Sequence, residues 1–419
     1  MKIAIVGTGV SGLVAAHLLH PQHELQIFEA NDYAGGHTNT IPIETAGRTW
    51  PIDTGFIVFN DWTYPNFIRL LARLGVASQP TMMSFSVRCE RTGLEYNGRN
   101  LNTLFAQRRN FFRPSFHGMI RDILRFNREA PELLAEGAAE PGPTLGAYLA
   151  EHRYGRAFID TYIVPMGAAI WSAPVEQLRA FPARFFVRFF ANHGMLSVDH
   201  RPQWRVVSGG SQSYVRALTT PMRERIRLGD PVRAVTRESG GVRLRTASGA
   251  EHTADHVIIA VHGDEALPLL TDPSAAERAV LGAFSYQDNE AVLHTDASVM
   301  PRARRAWAAW NYHLPAVASD DRRIALTYHM NALQGLAADR EFLVTLNPSL
   351  PIDPALVLRR IRYAHPLFTQ GAVAAQRRLG EISGLRSTSY CGAYWGYGFH
   401  EDGVVSALAA CRPFGVGLE

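Results

Sequence analysis

The chain has 419 residues, of which 47% are hydrophobic and 19% charged, and its formal net charge is +4. That composition excludes a disordered chain, and the length exceeds one typical domain. So small a net charge gives no reason to expect a nucleic-acid partner, and attraction to any anion must come from local patches. Cys89, Cys391 and Cys411 are widely spaced, odd in number and form no CxxC pair. No disulfide framework and no metal site are therefore expected, and a reducing cytosol fits. No apolar run reaches the ~18 residues of a transmembrane helix, so the chain is expected to be cytoplasmic. Lys2 is the only lysine. An arginine-biased coding preference accounts for this, and so does a basic surface that grips phosphate or carboxylate with guanidinium forks.

In chain order, Ile3 to Val6 is a short apolar strand, followed by glycines and a helical pattern through Leu13, Ala16 and Leu19. Leu25 to Phe28 is a second strand, closed by Glu29. The start of the chain could pass for a signal peptide, but its glycines and the following acid favour a folded nucleotide site. A short helix is predicted from about 65 to 74, and strands over 84–97 turn at Gly93. Residues 101–200 change to long helical segments rich in arginine and phenylalanine. A second βαβ-like block is predicted at about 205–262, then a mixed region with strands at Ala291–His294 and Ile324–Tyr328. The end, from Tyr390 to Cys411, is rich in glycine and aromatics and then helical.

This distribution predicts an α/β fold with α+β insertions: a Rossmann-like cofactor domain built from 1–75, 205–265 and 380–419. A substrate domain is expected from 76–204 and 266–379.

Gly7-Thr8-Gly9-Val10-Ser11-Gly12 matches GxGxxG directly after a strand and at a helix start. Gly7 permits the tight turn, Gly9 the approach of a diphosphate, and Gly12 close packing of helix on strand, while the helix N-terminus faces the phosphates. Glu29 is placed to accept from a ribose 2′-OH and repels a 2′-phosphate, and Ala30 follows it. A second glycine pair, Gly35-Gly36, lies just before His37 and Thr38, and Asp53-Thr54-Gly55-Phe56 comes next. Two points of close backbone approach suit an elongated flavin dinucleotide, so non-covalent FAD is the expected cofactor.

On these residues the chain resembles the flavin-containing amine oxidase superfamily, whose pattern is an acid ending the second strand, a Gly-Gly-Arg turn and an Asp-x-Gly segment beside the flavin. His37 stands where the family has arginine. The resemblance implies that Asp230 to Val235 is the strand whose backbone, at Val232, meets adenine, with Ala260 ending a central strand nearby. It also implies that Tyr390 to Ala407 runs under the ribityl chain, bringing Ala393, Gly403 and Val404 to the flavin. Ala393 replaces the family's acid, Cys391 falls outside its covalent-attachment motif, and no lysine is present to hold a water at the flavin. An amine oxidation that depends on that lysine is excluded by composition. The block from Cys391 through Tyr394, Trp395, Tyr397 and His400 to Gly403 resembles a bacterial branch associated with cyclopropane-fatty-acid-synthase-type methyltransferases, which implies an acyl chain of a membrane lipid as substrate.

Dehydrogenation needs a hydride acceptor and a base. His400 is the first candidate for the base, against a purely structural histidine. Glu401 and Asp402 are alternatives, with Asp402 also a candidate cap for a helix opening at Gly403. Tyr394, Trp395 and Tyr397 are candidates for a tunnel wall or an amine cage, against ordinary core. Phe181 to Phe190, with Arg184 and Arg188, reads either as an interfacial helix or as an amphipathic core helix, and Arg108, Arg109 and Arg113 interleave with Phe111 and Phe112. An interfacial reading places the protein in peripheral contact with the inner face of the membrane. The functional expectation is an FAD-dependent desaturase or dehydrogenase of a fatty acyl chain, reached through a long apolar tunnel with an arginine-rich mouth. Amine oxidation and redox-neutral double-bond isomerisation are the alternatives.

Overall fold

The computed structural model describes residues 1–45, 47–135, 142–316 and 323–418. A five-stranded parallel sheet takes its strands in the order Ile226–Arg227, Glu24–Phe28, Lys2–Val6, His256–Ile259, Thr388–Tyr390. Strand alternation explains how it divides two layers. Ile3, Ile5, Leu25, Ile27 and Ile258 point to one face, where helices Val10–Leu19 and His400–Cys411 pack. Ala4, Val6, Phe28, Val257 and Ile259 point to the other, against an antiparallel sheet of Val232–Glu238, Gly241–Thr246 and Glu251–Ala254. Helix Val10–Leu19 is apolar almost all round because it is covered on both sides, and nine of its ten residues are buried.

The other large element is a seven-stranded sheet in the order Val357–Leu367, Ser285–His294, Leu343–Leu346, Ala325–His329, Trp310–Leu314, Phe85–Cys89, Leu94–Asn97. Its pairings are antiparallel except for Trp310–Leu314 against Phe85–Cys89, which is parallel. One face carries Val87, Tyr96, Tyr312 and Leu326 against the helical segments between 114 and 192. The other carries Ala291, Leu293, Val344 and Leu346 against Trp50 and Ile52 of the hairpin Thr40–Thr45/Arg48–Asp53.

Two expectations need correction, and one open alternative is decided. The block at 205–262 is not a second βαβ unit of the parallel sheet, because Trp204–Val207 pairs antiparallel with Phe59–Asn60 and Ser78–Pro80. The last helix opens at His400 rather than Gly403. Helix Ala183–Asn192 is a core helix: Phe186, Phe189 and Phe190 are at most 3% exposed and join Phe181 and Trp171 in the packed layer, so its rings do not meet lipid.

Candidate functional site

At the phosphate-type turn each glycine answers a different constraint. Gly7 has φ +103°, and a Cβ there would meet the Ala260 carbonyl oxygen at 2.7 Å. A Cβ on Gly12 would lie 1.9 Å from the Gly7 oxygen, so Gly12 permits the helix to seat on the strand. A Cβ on Gly9 would meet nothing within 4 Å. Its backbone therefore faces open space, and no side chain caps the helix it begins. That open space is a continuous cavity of about 710 Å³ lined by Gly7, Gly9, Val10 and Ser11.

Glu29, Ala30 and Val232 line the same cavity. The Glu29 carboxylate already accepts from the Thr8 amide at 3.0 Å and its hydroxyl, and from the Asn31 amide and Nδ2, each at 2.9 Å. Four donors fill its acceptor sites, so a ribose hydroxyl is received by displacing a rotatable donor, the Thr8 hydroxyl or the Asn31 side chain.

Gly36, at φ +58°, stacks its backbone on Gly9, and Gly55 lies against the His37 carbonyl, so the second glycine pair and the Asp-x-Gly segment close over the turn. Gly35, Gly36, His37, Gly55 and Phe56 all line the cavity. The His37 ring stacks on Tyr363 at 4.9 Å and lies 5.2 and 5.6 Å from His365 and His262. Burial, then the two neighbouring imidazoles, holds His37 well below the usual histidine range. Asp53 faces away from the cavity: it accepts from the Ser211 amide at 2.9 Å and hydroxyl at 2.8 Å, and from Thr40. Burial pushes it up to about 6.

Residues of the terminal block fall into two groups. Ala393, Tyr394 and His400 line the cavity. Gly403 and Val404 lie behind it. A Cβ on Gly403 would come within 2.6 Å of Val10, and Val404 is core, so both set the approach of two helices. Thr38 and Gly12 likewise build the wall without lining it. The His400 ring stacks on Phe56 at 3.4 Å, and its Nε2 meets the Thr38 hydroxyl and the Tyr214 hydroxyl, each at 2.9 Å. Burial pushes His400 down to about 3, and its Nε2 is already engaged by the two hydroxyls, an arrangement that suits a structural ring better than a base.

Glu401 is not a base facing the cavity. Its oxygens accept from the Asn66 amide at 3.1 Å, Asn66 Nδ2 at 2.7 Å and the Phe67 amide at 2.9 Å, capping helix Pro65–Arg73. Asp402 accepts from the Phe399 amide at 2.9 Å and caps its own helix, one turn earlier than expected. Tyr394 packs against Phe284 and Trp395, and burial drives its hydroxyl far above the usual range, which suits a wall and not an acid or base.

Tyr397, a candidate for the tunnel wall, lines the cavity together with Phe399 from the terminal block, whereas Trp395 lies outside the described lining. Sequence reasoning missed the rest of the wall, Ile170 and Trp171 from the helical layer and Trp310 and Tyr328 from the seven-stranded sheet. Trp310 and Tyr328 are opposed on neighbouring strands, with rings at 5.2 Å and 88°. The Trp171 indole donates to the Tyr397 carbonyl at 3.1 Å. Nothing local in sequence joins these residues, since strand pairing and helix packing do it. Arg233 is the one arginine of the described lining, beside Glu29 and Val232, so the arginine-rich mouth is not found.

The model of the family described as flavin containing amine oxidoreductase matches residues 10–302, well over half of the chain. The chain belongs to that family. It is a flavin-dependent oxidoreductase, and its cavity fits the group: an open glycine turn at one end, an aromatic wall at the other. The terminal block lies beyond the matched residues. Solved structures agree in fold. The chain is similar to the cyclohexylamine oxidase from Brevibacterium oxydans IH-35A, with 15% identity, TM-score 0.71 and 99% of each chain covered. It is also similar to a fatty acid isomerase from P. acnes described as CLA-producing, with 14% identity, TM-score 0.69 and 98% of each chain covered. A reduced UDP-galactopyranose mutase matches at 16% identity and TM-score 0.65, over 99% of this chain and 95% of its own.

Proposed function

We propose that this oxidoreductase holds FAD without a covalent bond and dehydrogenates an apolar substrate, an acyl chain of a lipid. The observation that carries the substrate reading is the charge-free aromatic wall of Ile170, Trp171, Trp310, Tyr328, Tyr397 and Phe399. Apolar contact is worth about 0.8 kcal/mol per buried methylene, so such a wall binds an alkyl chain without polar anchors. The seven-stranded sheet and helical layer that supply Ile170, Trp171, Trp310 and Tyr328 serve as the substrate domain.

The backbone at Gly7, Gly9 and Val10 and the open helix end would receive the diphosphate, Glu29 the ribose and Val232 the adenine. Bound there, the flavin would supply a two-electron acceptor for hydride, and the proton lost from the neighbouring carbon would pass to an imidazole of the lining, His37, His262 or His365. The chain's own residues exclude water with aromatic rings and keep His400 neutral. The non-covalent reading is supported by the three cysteines, all buried and outside the described lining. Acid precipitation is expected to leave the yellow colour in the supernatant, and colour in the pellet overturns the non-covalent reading.

A second reading, amine oxidation, is favoured by the perpendicular Trp310 and Tyr328 rings, whose faces suit a cation, and by family membership. Anaerobic mixing separates the two. Bleaching of the flavin by unsaturated or methylated phospholipid supports dehydrogenation, and bleaching by simple amines alone replaces it with amine oxidation. Lipid conversion without net bleaching indicates a redox-neutral double-bond shift instead.

A further inference from the structure

From Tyr96 to Arg121 the chain runs through 26 residues with five arginines and no aspartate or glutamate. The acids on either side are turned inward: Glu95 accepts from the Arg302 and Ala303 amides, and Asp122 from the Gly155 amide. Both are buried. Arg99, Arg108, Arg109, Arg113 and Arg121 form no ion pair with described residues, so this face is positive without local compensation.

The same stretch is apolar where apolar groups are least expected. Phe112 is 89% exposed, Leu101 75% and Phe111 49%, and Leu124 follows one turn beyond Arg121 at 55%. These are four of the twelve exposed large hydrophobic residues among the described ones. Clustered exposure of this kind marks an interaction surface, whereas single exposed residues do not.

The patch is held in shape from beneath. Phe111 stacks on the buried Phe105 at 3.9 Å, and His117 Nε2 meets the Phe111 carbonyl at 2.9 Å. Arg108 donates to Asn102 Oδ1 at 2.6 Å and to the Phe105 carbonyl at 3.0 Å, while Arg109 donates to the Gly93 carbonyl at 2.7 Å. Each of these guanidiniums keeps further donors for an outside acceptor. Held this way, Phe111 has little rotamer freedom left to lose, and Phe112 stands beside it in solvent.

We infer that this face, Leu101, Phe111, Phe112 and Leu124 among Arg108, Arg113 and Arg121, docks on the surface of an anionic phospholipid bilayer. Rings enter the acyl boundary and guanidiniums meet phosphates, with the flanking acids Glu95 and Asp122 buried. A duplex nucleic acid would use the arginines but leave Phe112 and Leu101 in water, so the rings favour a membrane. Docking is independent of the substrate assigned above, since it rests on a different surface.

The test is co-sedimentation of the flavin-loaded protein with vesicles of phosphatidylcholine alone and with about a third phosphatidylglycerol. Binding is expected to the anionic vesicles and to fall as salt rises. Phe112→Asp is expected to lower partitioning about tenfold or more, and Arg113→Gln with Arg121→Gln several-fold on anionic vesicles only. Phe112 supports nothing beneath it, so the flavin spectrum and melting temperature should stay unchanged in Phe112→Asp. Equal partitioning of wild type and Phe112→Asp overturns the proposal. So does binding to duplex DNA that matches the vesicle binding and is indifferent to Phe112→Asp, which would indicate a plain polyanion site.

Discussion

His400 Nε2 and the Tyr214 hydroxyl stand 2.9 Å apart, joining the first residue of the last helix to a helix of the middle segment. The Thr38 hydroxyl completes the triangle at 2.9 Å from the same nitrogen. A ring so enclosed positions Phe56 and has no free nitrogen offered for proton transfer on that side.

His400→Gln is therefore expected to lower stability by about 1–3 kcal/mol, the cost of leaving buried hydroxyls short of a partner. It should add or remove no limb of the kcat/KM profile between pH 5 and 9. Thermal melts and a pH profile check both, and a lost limb would restore His400 as the base.

Buried histidines also set an acid limit. His400 is held down to about 3, and His193 and His365 to about 4, all by burial first. Each stays neutral when folded but protonates when unfolded below about 6.5. Their stabilisation is complete above pH 6.5 and is lost as pH falls toward 4. Asp53 and Asp402, both raised by burial to about 6, act in the opposite sense and offset part of the loss between pH 6 and 4. Unfolding free energies from denaturant titrations between pH 7.5 and 4.5 should decline by a few kcal/mol in total, and a flat profile contradicts the burial.

Gly9→Ala separates binding from folding. The added methyl meets nothing in the protein, and Gly9 has φ −63°, which alanine adopts freely. Stability without flavin should change by less than about 0.5 kcal/mol, while FAD affinity falls tenfold or more because the methyl occupies the approach of the cofactor. Fluorescence titration with FAD reads the effect.

Glu401→Ala removes three bonds at the start of helix Pro65–Arg73. A loss of about 1 kcal/mol is expected, with kcat unchanged. A large fall in kcat at constant stability would return Glu401 to the chemistry.

The glycine turn and the second glycine pair were legible because Gly7, Gly35 and Gly36 take positive φ, which few other residues adopt, and Glu29 because an acid closes the second strand of the same βαβ unit. The aromatic wall was not, because Trp310 and Tyr328 meet by strand pairing and Trp171 by helix packing, and neither leaves a local spacing. Periodicity identified the apolar face of Ala183–Asn192 but not what covers it, and burial decided for core. Glu401 and Asp402 sit side by side in sequence yet cap different helices, a distinction only the tertiary fold makes.

The parallel sheet is finished by its last strand: Thr388–Tyr390 adds to His256–Ile259, and helix His400–Cys411 then seats on Val10–Leu19. On the ribosome the first βαβ unit emerges long before these partners, and most of the chain is synthesised in between. Until then the apolar helix Val10–Leu19 is bare on one side, a natural client for a chaperone. Until Tyr397 to His400 have emerged the flavin pocket lacks one wall, so firm cofactor capture waits on the last helix, and starvation for flavin should deplete the folded protein without stalling its synthesis.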